Sequence, residues 1–308
     1  MLLRAVVLAA ALSAMVGFTP PSEAAADPIH VVVTIPVLKD LAEQVGGPHV
    51  RVVSLLSGLE SEHTYSPKPS DVLAIRRARV VLQVGLGLEI WIAPLIRNAR
   101  NPDLMVVTTS NGIALIPDHD VASVSAAGQG RRDHEGNPHV WLDPENAKIM
   151  MRHITEGFIA VDPAHGPEYR RNQAAYLNEL DRLQKELLAR IEPLSHRHIV
   201  VHHPAWPYFA RRFGFRVVGE VVAQPGAEPS AQHLQHLVGL MRKEHVRVIV
   251  SEPQLSQKIP DMLARETGAR VVVLTPLPGG VPGTDSYLDL LRYNVARLVE
   301  ALSANPSS

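Results

Sequence analysis

Three of the 15 histidines in this 308-residue chain lie close to prolines, each in a short motif at the boundary of a predicted element. His63 stands in Glu-His-Thr-Tyr-Ser-Pro, His139 in Asn-Pro-His-Val-Trp-Leu-Asp-Pro, and His203 in His-His-Pro-Ala-Trp. Imidazole nitrogens bind zinc and copper well, and the chain has no cysteine, so any metal must be held by His, Asp or Glu. A single histidine of this kind is more often a surface or hydrogen-bonding residue. Three that converge on one cleft, in a chain without cysteine, would favour metal binding.

The composition narrows the classes of function. The chain has 30 basic and 31 acidic residues and a formal charge of −1, which gives no general attraction to nucleic acid or to an anionic membrane. The absence of cysteine excludes disulfides, iron–sulfur clusters and thiol catalysis. We expect a monomer that has no nucleic-acid partner and no stable insertion in a membrane.

The N-terminal segment is typical of a cleaved export signal. Arg4 precedes an apolar run over residues 5–18, which is too short to span a bilayer, and Ala24-Ala25-Ala26 form a small-residue cleavage site. We expect cleavage near Ala26 and a periplasmic mature protein in a Gram-negative bacterium. A lipoprotein would need a cysteine at the cleavage point, so we do not expect a lipid anchor.

Strand and helix patterns alternate on both sides of one long amphipathic segment. Continuous β-branched runs such as 30–35 and 198–201 indicate strands that are buried on both faces. Between the two alternating regions, apolar residues recur every three or four positions from 169 to 194, as on one face of a helix. This order predicts an α/β fold with two doubly wound parallel-sheet lobes joined by one long rigid helix, and a ligand site in the cleft between the lobes.

The same pattern sets the expected domain boundaries. An N-terminal α/β lobe is predicted over 27–166, the connecting helix over 167–195, and a C-terminal α/β lobe over 196–308. Residues 111–138 interrupt the pattern and are predicted to form a surface loop. His119 and His134 in that loop allow a weak auxiliary metal site, although a solvated loop is the simpler interpretation.

The segments around the three histidines resemble the signature motifs of a known family, the zinc- and manganese-binding solute-binding proteins of bacterial ABC importers. The similarity extends over essentially the whole mature chain, and its clearest segments are residues 62–71, 137–147 and 202–214. It implies two four-stranded α/β lobes, one long connecting helix, and a metal ion between the lobes. It also implies a partner, an inner-membrane permease with its ATPase.

The resemblance places the metal ligands residue by residue. His63, His139 and His203 fall on ligand positions of the family, whereas His202 falls on an apolar position and is not expected to bind metal. Many members have a metal-binding aspartate soon after the last strand, where this chain has Leu-Thr-Pro-Leu-Pro over 274–278 and no carboxylate. The fourth ligand is therefore open.

Glu252 is a candidate for the fourth ligand, because it directly follows the predicted strand 247–250 at the sheet edge that also presents His203. It could instead accept a hydrogen bond from a ligating imidazole and fix its tautomer, or cap the turn before Pro253, with water completing the site. Asp285 is a weaker candidate, better explained as the cap of the last helix.

Three neutral imidazoles favour Zn²⁺ over Mn²⁺, which prefers carboxylate oxygen, while copper would also accept them. The sequence thus predicts a periplasmic high-affinity zinc-binding protein that is not an enzyme and delivers its ion to an ABC permease. A manganese-binding homologue, an adhesin of the same family and a three-histidine zinc hydrolase are the alternatives. The hydrolase lacks a His-Glu-x-x-His motif and a general base, since Glu62 is expected to point away from a metal bound by His63.

Overall fold

The computed structural model describes residues 27–117, 136–222 and 227–303. The predicted export signal and the loop histidines His119 and His134 lie outside these residues. Within them the strands are β1 (Ile29–Val33), β2 (Val50–Ser54), β3 (Val80–Gln83), β4 (Met105–Thr108), β5 (His198–Val201), β6 (Arg216–Glu220), β7 (Val248–Ser251) and β8 (Arg270–Val273). The α-helices are α1 (Pro36–Gly46), α2 (Pro69–Arg77), α3 (Ile92–Ala99), α4 (Pro144–Val161), α5 (Gly166–Ile191), α6 (Pro207–Phe213), α7 (Ala231–Lys243), α8 (Lys258–Thr267) and α9 (Tyr287–Ser303).

The strands form two parallel four-stranded sheets with the same order. The first sheet runs β2-β1-β3-β4 and the second β6-β5-β7-β8. The central strands are largely buried, whereas the outer strands β2, β4, β6 and β8 are half exposed, as expected for sheets covered by helices. This arrangement confirms the predicted α/β fold with two parallel sheets.

Each sheet has a topological switch point, where the strand order reverses direction, beside its first strand in the chain. Because β2 lies on one side of β1 and β3 on the other, the loops that leave these strands separate and open a crevice at their carboxyl ends. The second sheet repeats this arrangement around β5. The loops that carry Glu62, His63, His203 and Glu252 all leave the carboxyl ends of strands.

The long helix α5 joins the two sheets. It has 26 residues and is about 39 Å long at 1.5 Å per residue. Its buried side chains recur at helical spacing and include Tyr169, Tyr176 and Leu187. The helix predicted over 167–195 is thus present, but it ends four residues earlier.

The apolar core runs continuously between the sheets. One cluster of buried side chains contains Val33 of the first sheet and Ile199 of the second, together with Trp141 and Trp206 between them. The lobe boundaries at 27–166 and 196–308 therefore stay a prediction. None of the helices in the described part of the chain combines the length and the apolarity that crossing a bilayer requires.

Candidate metal centre

Four side chains that can ligate a metal converge between the two sheets. Glu62 and His63 lie in the loop after β2, and His139 immediately precedes one turn of 3₁₀ helix, Val140–Leu142. His203 follows β5. One oxygen or nitrogen atom from each of the four lies within 4.8 Å of all the others. We call these four residues the ligand cluster; it unites the three predicted histidines and adds Glu62.

The spacing of the ligand atoms matches one small cation. Nε2 of His63 lies 3.0 Å from Nε2 of His139, and Oε1 of Glu62 lies 3.4 Å from Nε2 of His139 and 3.9 Å from Nε2 of His63. Donors around a tetrahedral zinc ion, with bonds of roughly 2.0–2.2 Å, are separated by about 3.3–3.6 Å. Small adjustments of the side chains would give that geometry.

The ligand cluster is almost completely removed from solvent. Glu62 is 1% exposed and both His139 and His203 are 2% exposed, whereas the side chain of His63 retains 20% exposure. Within the described residues, Oε1 of Glu62 and Nε2 of His203 are buried and have no hydrogen-bond partner. A buried polar atom without a partner costs about 1–3 kcal/mol, a penalty that a bound cation would remove.

The electrostatics favour the neutral, metal-binding form of two imidazoles. Burial, reinforced by the neighbouring His139, lowers the pKa of His63 from 6.5 to about 3. Burial and the nearby His203 hold the pKa of His139 well below its usual value. Burial acts in the same direction on His203, but the charge and hydrogen bond of Glu252 outweigh it and raise the pKa of His203.

Glu252 lies behind His203 and outside the ligand cluster. Its Oε1 lies 2.6 Å from Nδ1 of His203 and accepts a second hydrogen bond from Nε1 of Trp206 at 3.0 Å. The structure therefore places Glu252 in the alternative role considered from the sequence, as hydrogen-bond acceptor for a ligand-type imidazole. Because that bond occupies Nδ1, Nε2 of His203 is left to face the cluster.

Glu62 corrects one expectation. The chain makes a turn over residues 62–64, and the indole Nε1 of Trp91 donates to the backbone carbonyl of Glu62 at 2.9 Å. In an extended strand two consecutive side chains would point to opposite faces, but in this turn Glu62 and His63 both reach the cluster. The expectation that Glu62 points away from the site is wrong.

The remaining candidates lie outside the cluster. His202 is buried, and its Nδ1 lies 3.3 Å from the hydroxyl of Ser251. The sequence predicts that Asp285 caps α9. In the structure Asp285 is exposed and does not cap this helix. Ser286 caps it instead, because its hydroxyl accepts from the backbone nitrogen of Asp289 at 3.1 Å.

Comparison with known proteins agrees with this architecture. Residues 31–301 match the family model described as zinc-uptake complex component A, periplasmic (ZnuA). The chain belongs to this family. The family is that of a periplasmic binding component of an uptake system and is not an enzyme family, so the resemblance read from the motifs is confirmed.

Individual relatives are similar over nearly their whole length. A putative metal-binding protein of Treponema pallidum is 32% identical over 287 residues, which cover 92% of this chain and 90% of the relative. The high-affinity zinc uptake system protein ZnuA of Brucella suis is 29% identical over 308 residues, with 90% of each chain covered. A crystal structure of ZnuA is 30% identical with a TM-score of 0.77, covering 89% of this chain and 99% of that one.

Proposed function

We propose that this protein is the periplasmic component of a zinc importer. It binds one Zn²⁺ ion with Glu62, His63, His139 and His203 and delivers the ion to an inner-membrane ABC permease driven by an ATPase. The observation that carries the proposal is the ligand cluster itself, in which four donor atoms lie within 4.8 Å of one another. The zinc-uptake family to which the chain belongs supports the same conclusion.

The composition of the ligand cluster supports zinc as the cargo. Three imidazole nitrogens and one carboxylate oxygen make up a tetrahedral donor set of the kind that Zn²⁺ accepts. Mn²⁺ prefers a larger share of oxygen donors. Glu62 removes the need for a water molecule as fourth ligand, and Glu252 is not required at the metal.

The same donor set argues against a zinc hydrolase. A catalytic zinc ion has three protein ligands and keeps a fourth position open for water or substrate. Here Glu62 fills the fourth position, and three members of the ligand cluster are at most 2% exposed. A closed site of four ligands suits capture and transfer of an ion better than hydrolysis.

The remaining parts of the proposal concern the mature protein. Residues 1–26 act as an export signal that is removed near Ala26, and the mature chain works in the periplasm as a monomer without a lipid anchor. The composition of the N-terminal segment supports the export signal, and the absence of cysteine supports the lack of a lipid anchor.

Titration of chelator-stripped protein with Zn²⁺ tests the function. We expect one tight equivalent and a rise in melting temperature, because an ion that binds only the folded state stabilises it by about 2.7 kcal/mol at 100 times its Kd. A parallel titration with Mn²⁺ should show weaker binding. A melting temperature that does not respond to zinc would contradict the proposal.

A further inference from the structure

Glu252 is a carboxylate with no exposed surface, surrounded by hydrogen-bond donors. Its Oε1 is within hydrogen-bond distance of Nδ1 of His203 and accepts from Nε1 of Trp206, while Oε2 accepts from the side-chain amide of Gln254 at 2.8 Å. Three N–H donors suit an ionised carboxylate, which can only accept. Glu252 thus places a buried negative charge one imidazole ring away from the ligand cluster.

A count of charges shows what this carboxylate adds. Glu62 within the ligand cluster and Glu252 behind it are both buried. In the part of the chain that the structure describes, the ion pairs recorded for these two carboxylates are with imidazoles, and none is with lysine or arginine. Burying net charge is costly. A divalent cation brings the total to zero, whereas a monovalent cation leaves one uncompensated negative charge.

We propose that Glu252, without touching the ion, makes the site select divalent over monovalent cations. The inference rests on the proposed function, because it assigns the charge of the cargo to the same ligand cluster. Glu252 is a positioning residue in that its bond to Nδ1 directs Nε2 of His203 towards the ion. It is also a specificity residue, because its charge attracts a divalent ion twice as strongly as a monovalent ion.

The surroundings of Glu252 allow its charge to be removed while its hydrogen bonds are kept. In Glu252→Gln the side-chain oxygen can still accept from His203 and Trp206. The new amide group can donate to Oε1 of Gln254, which is buried and has no partner among the described residues, once the Gln254 carboxamide turns over. This variant therefore separates the charge of the residue from its geometry.

A second pair of variants tests the charge without altering Glu252. Gln254→Lys places an ammonium group beside Oε2 of Glu252 and neutralises it, while the bond from His203 remains. In Gln254→Met the new side chain is unbranched like lysine but carries no charge, so this variant serves as the matched control. It should change the affinities for divalent and monovalent ions by the same factor.

The experiment titrates metal-stripped wild type and the three variants with Zn²⁺ and with Ag⁺ in chloride-free nitrate buffer at one pH. We expect Glu252→Gln to lower the Zn²⁺ association constant about 100-fold. This is the upper end of the range for losing the hydrogen-bond partner of a metal-binding residue. The Ag⁺ constant should fall only about tenfold, because the lost Coulomb energy is halved. The Zn²⁺/Ag⁺ ratio then falls about tenfold, and Gln254→Lys lowers it relative to Gln254→Met.

Equal losses for both ions in Glu252→Gln would overturn the inference, because they would show that Glu252 acts through hydrogen-bond geometry alone. No loss for either ion would overturn it as well. If Glu252→Gln does not fold, the ratio of Gln254→Lys against Gln254→Met decides. A wild type without zinc binding overturns the proposed function, whereas an unchanged ratio with intact zinc binding overturns this inference alone.

Discussion

The side chain of Asn137 holds the imidazole of His139 in one tautomer. Its Oδ1 lies 3.0 Å from Nδ1 of His139 and also accepts from the backbone nitrogen of the same residue at 3.0 Å. Since the amide oxygen can only accept, Nδ1 carries the proton and the lone pair stands on Nε2, which belongs to the ligand cluster. The Asn137 amide donates to the carbonyl of Pro204 at 2.6 Å, so the residue also ties His139 to the segment that carries His203.

Replacement of Asn137 by alanine should weaken zinc binding about 10- to 100-fold, because His139 loses the bond that fixes its ring and tautomer. Isothermal titration with Zn²⁺ measures the effect. Asn172→Ala is the matched control, since this amide donates to the carbonyl of Val45 and lies outside the ligand cluster. Equal affinities for Asn137→Ala and the control would show that His139 needs no orienting partner.

Glu62 is the member of the ligand cluster that the sequence does not predict. Alanine at His63, His139 or His203 should lower zinc affinity by more than about 100-fold, and Glu62→Ala should do the same. This loss is larger than that expected for removing only the hydrogen-bond partner of a metal ligand. His233→Ala is the control, because His233 lies on an exposed face of α7 and bonds the carbonyl of Glu220. Wild-type affinity in Glu62→Ala would mean that another donor completes the site.

The reason for missing Glu62 is a matter of local geometry. The three histidines that converge in the structure were singled out from the sequence through their resemblance to the family motifs and because imidazole is a strong ligand. The direction of Glu62 depends on the turn over 62–64 and on the bond from Trp91, which comes from a loop after a different strand. A contact between residues 29 positions apart leaves no signal in the local sequence pattern.

The fold was predictable to a greater extent, because buried parallel strands and a long amphipathic helix leave strong periodic signals. The alternation gave both sheets and α5. The sequence also placed His203 and Glu252 at one sheet edge, since their strands β5 and β7 are neighbours. It could not decide whether Glu252 is a ligand or the hydrogen-bond partner of a ligand, because the carboxylate positions for these two roles differ by less than the length of one side chain.

Zinc affinity should fall in acid because one imidazole of the ligand cluster, that of His203, takes up a proton that competes with the ion. The pKa of His63 is about 3 and that of His139 is also low, so both rings are neutral in mild acid and do not hold protons that compete with zinc. The pKa of His203 is raised above 6.5 by Glu252, so zinc must displace its proton as the pH falls below that pKa.

We therefore expect the zinc association constant to fall about tenfold per pH unit between roughly pH 5 and the pKa of His203, and to be flat above it. Titrations across this range, with a pH dye to count released protons, give the slope. A fall of about a thousandfold per unit would mean that all three imidazoles are protonated in the metal-free protein. A flat profile would mean that His203 is not a ligand.

Asp143 and Arg212 form an ion pair at the contact between the two sheet units. Asp143 is 1% exposed and caps α4, and its carboxylate accepts from Nε of Arg212 in α6 at 2.6 Å and from the second guanidinium nitrogen at 3.1 Å. The side chain of Arg212 is 29% exposed. Loss of Arg212 leaves the buried carboxylate with the longer ion pair to Arg211, whose half-exposed guanidinium lies 3.6 Å from Oδ2, whereas loss of the aspartate leaves an arginine that water can reach.

Arg212→Ala should therefore lower the free energy of unfolding by about 3 kcal/mol, the low end for a broken buried ion pair because Arg211 remains, and Asp143→Ala by less, mainly through the lost helix cap at about 1 kcal/mol. The double variant should be less destabilised than the sum of the two, because the second substitution removes the buried charge that has lost its shorter ion pair. Urea unfolding of the metal-free proteins gives all three values. Additive effects, or a larger loss for Asp143→Ala, would show that the pair contributes little beyond the cap.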